Sequence, residues 1–140
     1  MSPDGMRALV RRHIEEGFNR GDWTVSETTL ADDYTARYGA EGRSNVGRDH
    51  YVMVCKMLRK SFPDVAITIE DLVVEGNKIV NRYIERGTLT GKPFLGIEPA
   101  GQRYEKPGTT VYRVANDRLT ESWGVEDTLG WFRQLGKYTD

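Results

Sequence analysis

Cysteine and histidine are nearly missing from this sequence. Its 140 residues hold one cysteine, Cys55, and two histidines, His13 and His50. No internal disulfide can form, and neither CxxC nor HExxH spacing is available for zinc, so no metal is expected. An excess of one charge is also lacking, with 20 Lys and Arg against 21 Asp and Glu. That balance gives no electrostatic footprint for nucleic acid. The longest basic clusters, Arg11-Arg12 and Lys56 to Lys60, fall in helix-like stretches and read as solvated faces. No apolar run approaches the roughly 20 residues of a bilayer span, and the N-terminal MSPDGMRALVRRHIEEG has no apolar h-region. A cytoplasmic protein without membrane contact is therefore expected. What is present, 38% hydrophobic and 29% charged residues, is the balance of a globular domain. At this length folding buries roughly two-thirds of the unfolded surface, enough for one domain over residues 1–140 with its own core.

Hydrophobic periodicity divides the chain. Met6, Leu9, Val10, His13, Ile14 and Phe18 recur at helical spacing, and Asn19-Arg20-Gly21-Asp22 supplies the stop. A short helix is expected around Val25 to Leu30. A long one runs from Arg48 to Phe62, with Tyr51, Val52, Cys55, Leu58 and Phe62 on one face and Pro63 ending it. After Pro63 the period falls to two. Val65, Ile67 and Ile69 alternate until the phase slips near Asp71, which predicts a bulged strand. Glu75 to Lys78 is a turn, Ile79 to Thr88 a second strand, and Gly91 to Gln102 a loop with two prolines and three glycines. Arg103 to Val114 and Leu119 to Asp127 form a further pair across Ala115-Asn116-Asp117-Arg118. Helices first and strands last predict an α+β domain, its helices packed on one face of a curved antiparallel sheet, with a conical pocket for a small molecule.

The residues that carry a family likeness are spread in order along the chain. They are Phe18-Asn19-Arg20-Gly21-Asp22, Ala31-Asp32-Asp33-Tyr34, Ser61-Phe62-Pro63-Asp64, Glu75 to Val80, Arg86-Gly87-Thr88, Tyr112-Arg113-Val114, Glu121-Ser122-Trp123, Asp127 and Gln134-Leu135-Gly136. The set resembles the SnoaL-like polyketide cyclase family, within the nuclear transport factor two-like superfamily, from about Leu9 to Gly136. The resemblance implies a conical α+β barrel that receives a hydrophobic aromatic polyketide and closes a ring by intramolecular aldol condensation, without metal or organic cofactor. It implies a place in antibiotic biosynthesis and a homodimer or homotetramer. Related members are cofactor-independent anthracycline hydroxylases and epoxide hydrolases, and a non-catalytic hydrophobic-ligand binding domain is the alternative of another class.

By that resemblance Asp127, which follows Trp123 on the last strand, is the catalytic acid/base. Strand alternation puts Glu121, Trp123, Val125 and Asp127 on one face, so Trp123 and Asp127 are expected to look into one cavity, where desolvation raises a carboxyl pKa. Trp123, Tyr34, Tyr83, Leu89 and Arg113 are the expected substrate-binding residues. Leu89 and the segment Thr35 to Tyr38 stand where cyclase-type members often carry histidines, which leaves Arg113 or Tyr34 to stabilise an oxyanion. The plainer readings stand beside these. Asp127 suits a helix cap, Trp123 a core wall, and Tyr34 and Tyr83 satisfied core tyrosines. Arg82 and Arg113 suit surface cross-strand pairs, and Glu105 is a weak second carboxylate. His13, His50 and Cys55 read as packing or capping residues. The segment Gly91 to Pro99 reads as a lid or subunit contact, and Val73, Val111 and Trp131 as residues covering an outer face in a dimer.

Overall fold

Ser2 opens the first helix by accepting the Gly5 N–H at 3.0 Å, with Pro3 at the first helical position. A computed structural model of the chain describes residues 1–39 and 43–138. Helix α1, Pro3–Arg11, continues without a break into π-helical turns over Arg12–Phe18. The buried face runs through Met6, Leu9 and Val10 to His13, Ile14 and Phe18, while Arg11–Glu15 and Arg12–Glu16 pair on the solvent side. Asn19 fastens the helix end to the sheet. Its carboxamide accepts the Ile67 N–H at 2.7 Å and donates to the Ile67 carbonyl at 2.9 Å.

The short α2, Ser26–Thr29, leads into two strands that the sequence pattern leaves unassigned, β1, Leu30–Tyr38, and β2, Arg43–Val46. The expected order of helices before strands is corrected here. β1 pairs in parallel with a strand nearly ninety positions later, and its register shifts between Leu30 and Thr35, so its alternation is broken and its partner is remote. Helix α3 then spans Arg48–Ser61, ending before Pro63, and four long strands follow: β3, Ala66–Glu75, β4, Lys78–Leu89, β5, Gln102–Ala115, and β6, Arg118–Glu126. The expected bulge lies between Ile69 and Asp71. Asn116 and Asp117, both at positive φ, form the β5–β6 turn. Helix α4, Thr128–Leu135, closes the chain.

The six strands lie in the order β2-β1-β6-β5-β4-β3, antiparallel except for β1 beside β6. The sheet is curved and does not close, so the architecture is α+β with helices against one face. Two apolar clusters fill that face. One joins Met6, Leu9 and Val10 of α1 and Ile14 of the π-helical turns to Leu30, Ile79, Tyr112 and Leu119. The other joins Phe62, Val65, Leu89, Tyr104, Trp131 and Leu135, and Tyr51 packs against both. The loop from Thr90 to Gly101 is pinned at its root, where Gly91 and Lys92 donate to the Ser61 and Lys60 carbonyls at 3.1 and 2.9 Å. A Cβ on Gly91 would come within 1.9 Å of the Lys60 oxygen, so only glycine fits. Further along, the Phe94 ring sits 4.9 Å from Trp131 and 5.0 Å from Phe62. Trp131, expected on an outer face, is thus part of the interior.

Candidate active site

The inner face of the sheet is set by strand parity. Asn81, Tyr83, Glu85 and Gly87 of β4 stand opposite Thr110, Gly108, Lys106 and Tyr104 of β5, and Gly108 and Thr110 in turn stand opposite Glu126 and Gly124 of β6. Glycines make room for the rings beside them. A Cβ on Gly108 would lie 2.5 Å from the Tyr83 hydroxyl, and one on Gly87 would lie 2.9 Å from the Tyr104 ring. Each tyrosine therefore lies flat over the glycine of the neighbouring strand. Gly108, Thr110 and Gly124 remain partly exposed, and we take this strip of the inner face, flanked by Tyr83, Glu126 and the 37% exposed Tyr38, as the candidate trough.

One end of the trough carries charge. The Lys106 ammonium, buried with only 3% of its side chain exposed, lies 3.2 Å from both Glu85 and Glu126 and 3.6 Å above the centre of the Trp131 ring. Tyr104 donates to Glu85 at 2.6 Å, and Tyr83 donates to Glu126 at 3.5 Å. Glu85 is sealed in, whereas Glu126 keeps 27% of its side chain exposed. A carboxylate thus meets the trough with a buried cation behind it and a phenol beside it. Burial pushes the Tyr83 and Tyr104 hydroxyls well above the ordinary phenol value, so both stay protonated donors at neutral pH. The same burial pushes the Cys55 thiol up to about 12, which removes it as a nucleophile.

His13 lies deeper, its ring 6.0 Å from Tyr51 and 5.9 Å from Tyr112, and its Nε2 has no hydrogen-bond partner among the described residues. Burial lowers its pKa from 6.5 to about 4. The folded protein therefore holds it neutral while the unfolded chain takes up a proton as pH falls below about 6.5. The His13 contribution to stability should be constant above that pH and fall by about 3 kcal/mol in total as pH drops toward 4. Urea unfolding at pH 7 and pH 4.5 checks this. His13→Phe should lose less stability over that interval than the wild type, and equal losses would sink the assignment.

Among known proteins, the model of the SnoaL-like polyketide cyclases matches residues 8–135. The chain belongs to that family. This SnoaL-like chain superimposes on a candidate SnoaL-like polyketide cyclase from Jannaschia sp. CCS1 with a TM-score of 0.86 at 22% identity, covering 99% of this chain and 98% of that one. It superimposes on IdmH, a candidate polyketide cyclase from Streptomyces antibioticus, with a TM-score of 0.82 at 26% identity, covering 97% and 99%. AclR, a candidate hydroxylase from Streptomyces galilaeus, gives 0.86 at 22% identity over 99% and 85%. No curated protein matches the chain significantly.

The SnoaL-like scaffold separates the residues that sequence reasoning groups together. Trp123, Val125 and Asp127 share a parity, but it is the outer one; Ser122, Gly124 and Glu126 face inward. The expectation that Trp123 and Asp127 look into one cavity is therefore corrected. Trp123 stacks under the Arg113 guanidinium at 5.2 Å on the outer face, where Arg113 pairs with Glu121 at 2.8 Å. Asp127 is exposed and caps α4, accepting the Gly130 N–H at 2.9 Å. Arg82 pairs with Asp71, and Glu105 with Arg86, also on the outer face. His50 is exposed and bonds Asn45 at 2.9 Å.

Three of the expected residues do face inward. Tyr34 is buried and donates to Ser122 at 2.8 Å, Leu89 is buried in the Phe62–Trp131 cluster, and Tyr83 sides the trough. What sequence reasoning missed is Lys106, Glu126 and the role of Glu85. The available signal was a cross-strand match of Glu85 with Lys106 on the face that also carries Tyr83, Tyr104 and Tyr112.

Proposed function

We propose that the protein catalyses intramolecular aldol ring closure of an aromatic polyketide, with Glu126 as the acid/base and Tyr83 as the donor to the developing oxyanion. The observation that carries this is a carboxylate with about a quarter of its side chain exposed to the trough, held by a buried ammonium and touched by a protonated phenol. Glu126 removes a proton from a carbon activated by neighbouring carbonyls. The enolate carbon then attacks a second carbonyl of the same molecule, forming the C–C bond as the C=O π bond opens. The resulting alkoxide takes its proton from the Tyr83 hydroxyl, which recovers one from protonated Glu126, so substrate and product have the same mass. The Lys106 ammonium holds Glu126 in place, and Glu85 with Tyr104 holds Lys106.

Family membership and the name of the 26% identical IdmH support cyclisation as the chemistry. Self-association through the outer sheet face, where Val73 and Val125 are 58% and 70% exposed, fits the homodimer expected of the family. The test is aerobic incubation of the purified protein with anthraquinone-type polyketide esters, read by mass spectrometry. A new product of unchanged mass is expected. A gain of one oxygen would move the protein to hydroxylation, a gain of one water to hydration, and binding without conversion would leave a ligand-binding domain.

A further inference from the structure

We propose that the outer face of the sheet carries a second small-molecule site, a hollow between β1 and β6 that takes a small polar α-amino acid as its zwitterion. Two register slips make the hollow. Between the pairs Leu30–Leu119 and Thr35–Glu121, β1 has four residues and β6 only Thr120. Thr120 is also the extra residue against β5, where Arg113 stands opposite Glu121 and Val114 opposite Leu119. Slips of this kind bend strands and re-aim their side chains. The space they leave is about 470 Å³, open to solvent, and Asp33, Thr35, Asn116, Arg118, Thr120 and Glu121 line it. It lies across the sheet from the trough, since Asp33 and Thr35 flank the inward Tyr34, and at the other end of β6 from the exposed Val125.

Charge decides what the hollow receives. Glu121 is already neutralised, by Arg113 at 2.8 Å and by Arg37, and the nearby Arg48 is engaged with Asp32 at 2.9 Å. Asp33 and Arg118 are the lining charges left over. Among the described residues neither side chain has a hydrogen-bond or ion-pair partner, and they do not pair with each other. The half-buried Arg118 offers a fork of donors and the exposed Asp33 only acceptors. A ligand carboxylate in bidentate contact with Arg118 and an ammonium on Asp33 complete both at once, in one molecule of zero net charge. A simple anion would bring its charge toward Asp33, and a simple cation toward Arg118. The Thr35 and Thr120 hydroxyls and the Asn116 carboxamide make up the rest of the wall, so the amino acid that fits carries a polar side chain. No residue of this site belongs to the trough, and the inference stands apart from the reaction proposed there.

Titration of isotope-labelled protein, followed by backbone amide NMR, tests it with L-serine and its two halves, ethanolamine, which lacks the carboxylate, and 3-hydroxypropionate, which lacks the ammonium. L-Serine should shift the amides of residues 31–35 and 116–121 and saturate at about 1–10 mM, the range that two charge-assisted contacts at an open site supply. Each half should bind about 10-fold or more weakly than L-serine, the effect of losing one such contact. Arg118→Gln and Asp33→Asn should each weaken L-serine by a similar factor. Both variants should melt within about 2 °C of the wild type, because neither side chain gives up a partner. Shifts that do not saturate, shifts confined to other segments, a half that binds as well as L-serine, or an affinity unchanged in either variant overturns the proposal. None of these results bears on the trough.

Discussion

Glu126→Gln should lower turnover on any compound that the wild type converts by about 10²–10⁴-fold, the contribution of a positioned general acid/base. KM should change by only a few fold. The exchange keeps shape and volume, and Gln can still accept from Tyr83, so the expected loss is confined to proton transfer. The paired control is Asp127→Asn. Asp127 is exposed and bonded to the Gly130 N–H, and asparagine caps a helix about as well as aspartate, so both turnover and melting temperature should stay near the wild type. The two substitutions concern adjacent residues of opposite parity. Loss of turnover in Asp127→Asn with activity kept in Glu126→Gln would return the acid/base role to Asp127 and reject the assignment made from the inner face. Initial rates at saturating substrate, measured on matched preparations, decide between them.

That one-residue difference shows where sequence reading stops. The helices from Met6 to Phe18 and Arg48 to Phe62 were legible because their apolar spacing is long and regular, and Pro63 marks an end. The bulge near Asp71 was legible because alternation visibly slips there. On β6 the pattern misleads. The outward residues, Trp123 and Val125, are large and apolar, while the inward ones, Ser122, Gly124 and Glu126, are small or charged. A reader who puts apolar side chains inside takes the wrong face, since a site must carry polar groups into the interior and an outer face may be apolar where subunits meet. β1 was missed for another reason. Its partner β6 is remote in sequence, and the Asp32-Asp33 segment within the register shift hides the inward Leu30, Tyr34 and Ala36. Lys106 was missed because a lone lysine beside Pro107 in a charged segment, Glu105-Lys106-Pro107, reads as surface until Glu85 is placed opposite it.

Lys106→Met should be the most destabilising of these substitutions, by about 3–5 kcal/mol, because it leaves the enclosed Glu85 carboxylate without its cation. The side chains of Lys106 and Glu85 are 3% and 7% exposed, so water cannot replace the lost partner, and the remaining Tyr104 bond at 2.6 Å neutralises no charge. Glu126 is better placed, since its exposed quarter allows it to turn to solvent. Lys106 also lies 3.6 Å over Trp131, a desolvated cation–π contact worth about 2 kcal/mol that the thioether replaces only in part. Against a total of about 5–15 kcal/mol for a domain, the loss should lower the melting temperature by about 10–15 °C. Thermal unfolding followed by Trp fluorescence reads it. The cause is separable from loss of packing by adding Glu85→Gln to Lys106→Met. If an unpaired charge is responsible, the double variant should regain about half or more of the lost stability, as a neutral amide can still accept from Tyr104. Additive losses, or a single variant within about 1 kcal/mol of the wild type, would show that the ammonium does not hold this end of the trough. The mechanism would then lose the group that positions Glu126.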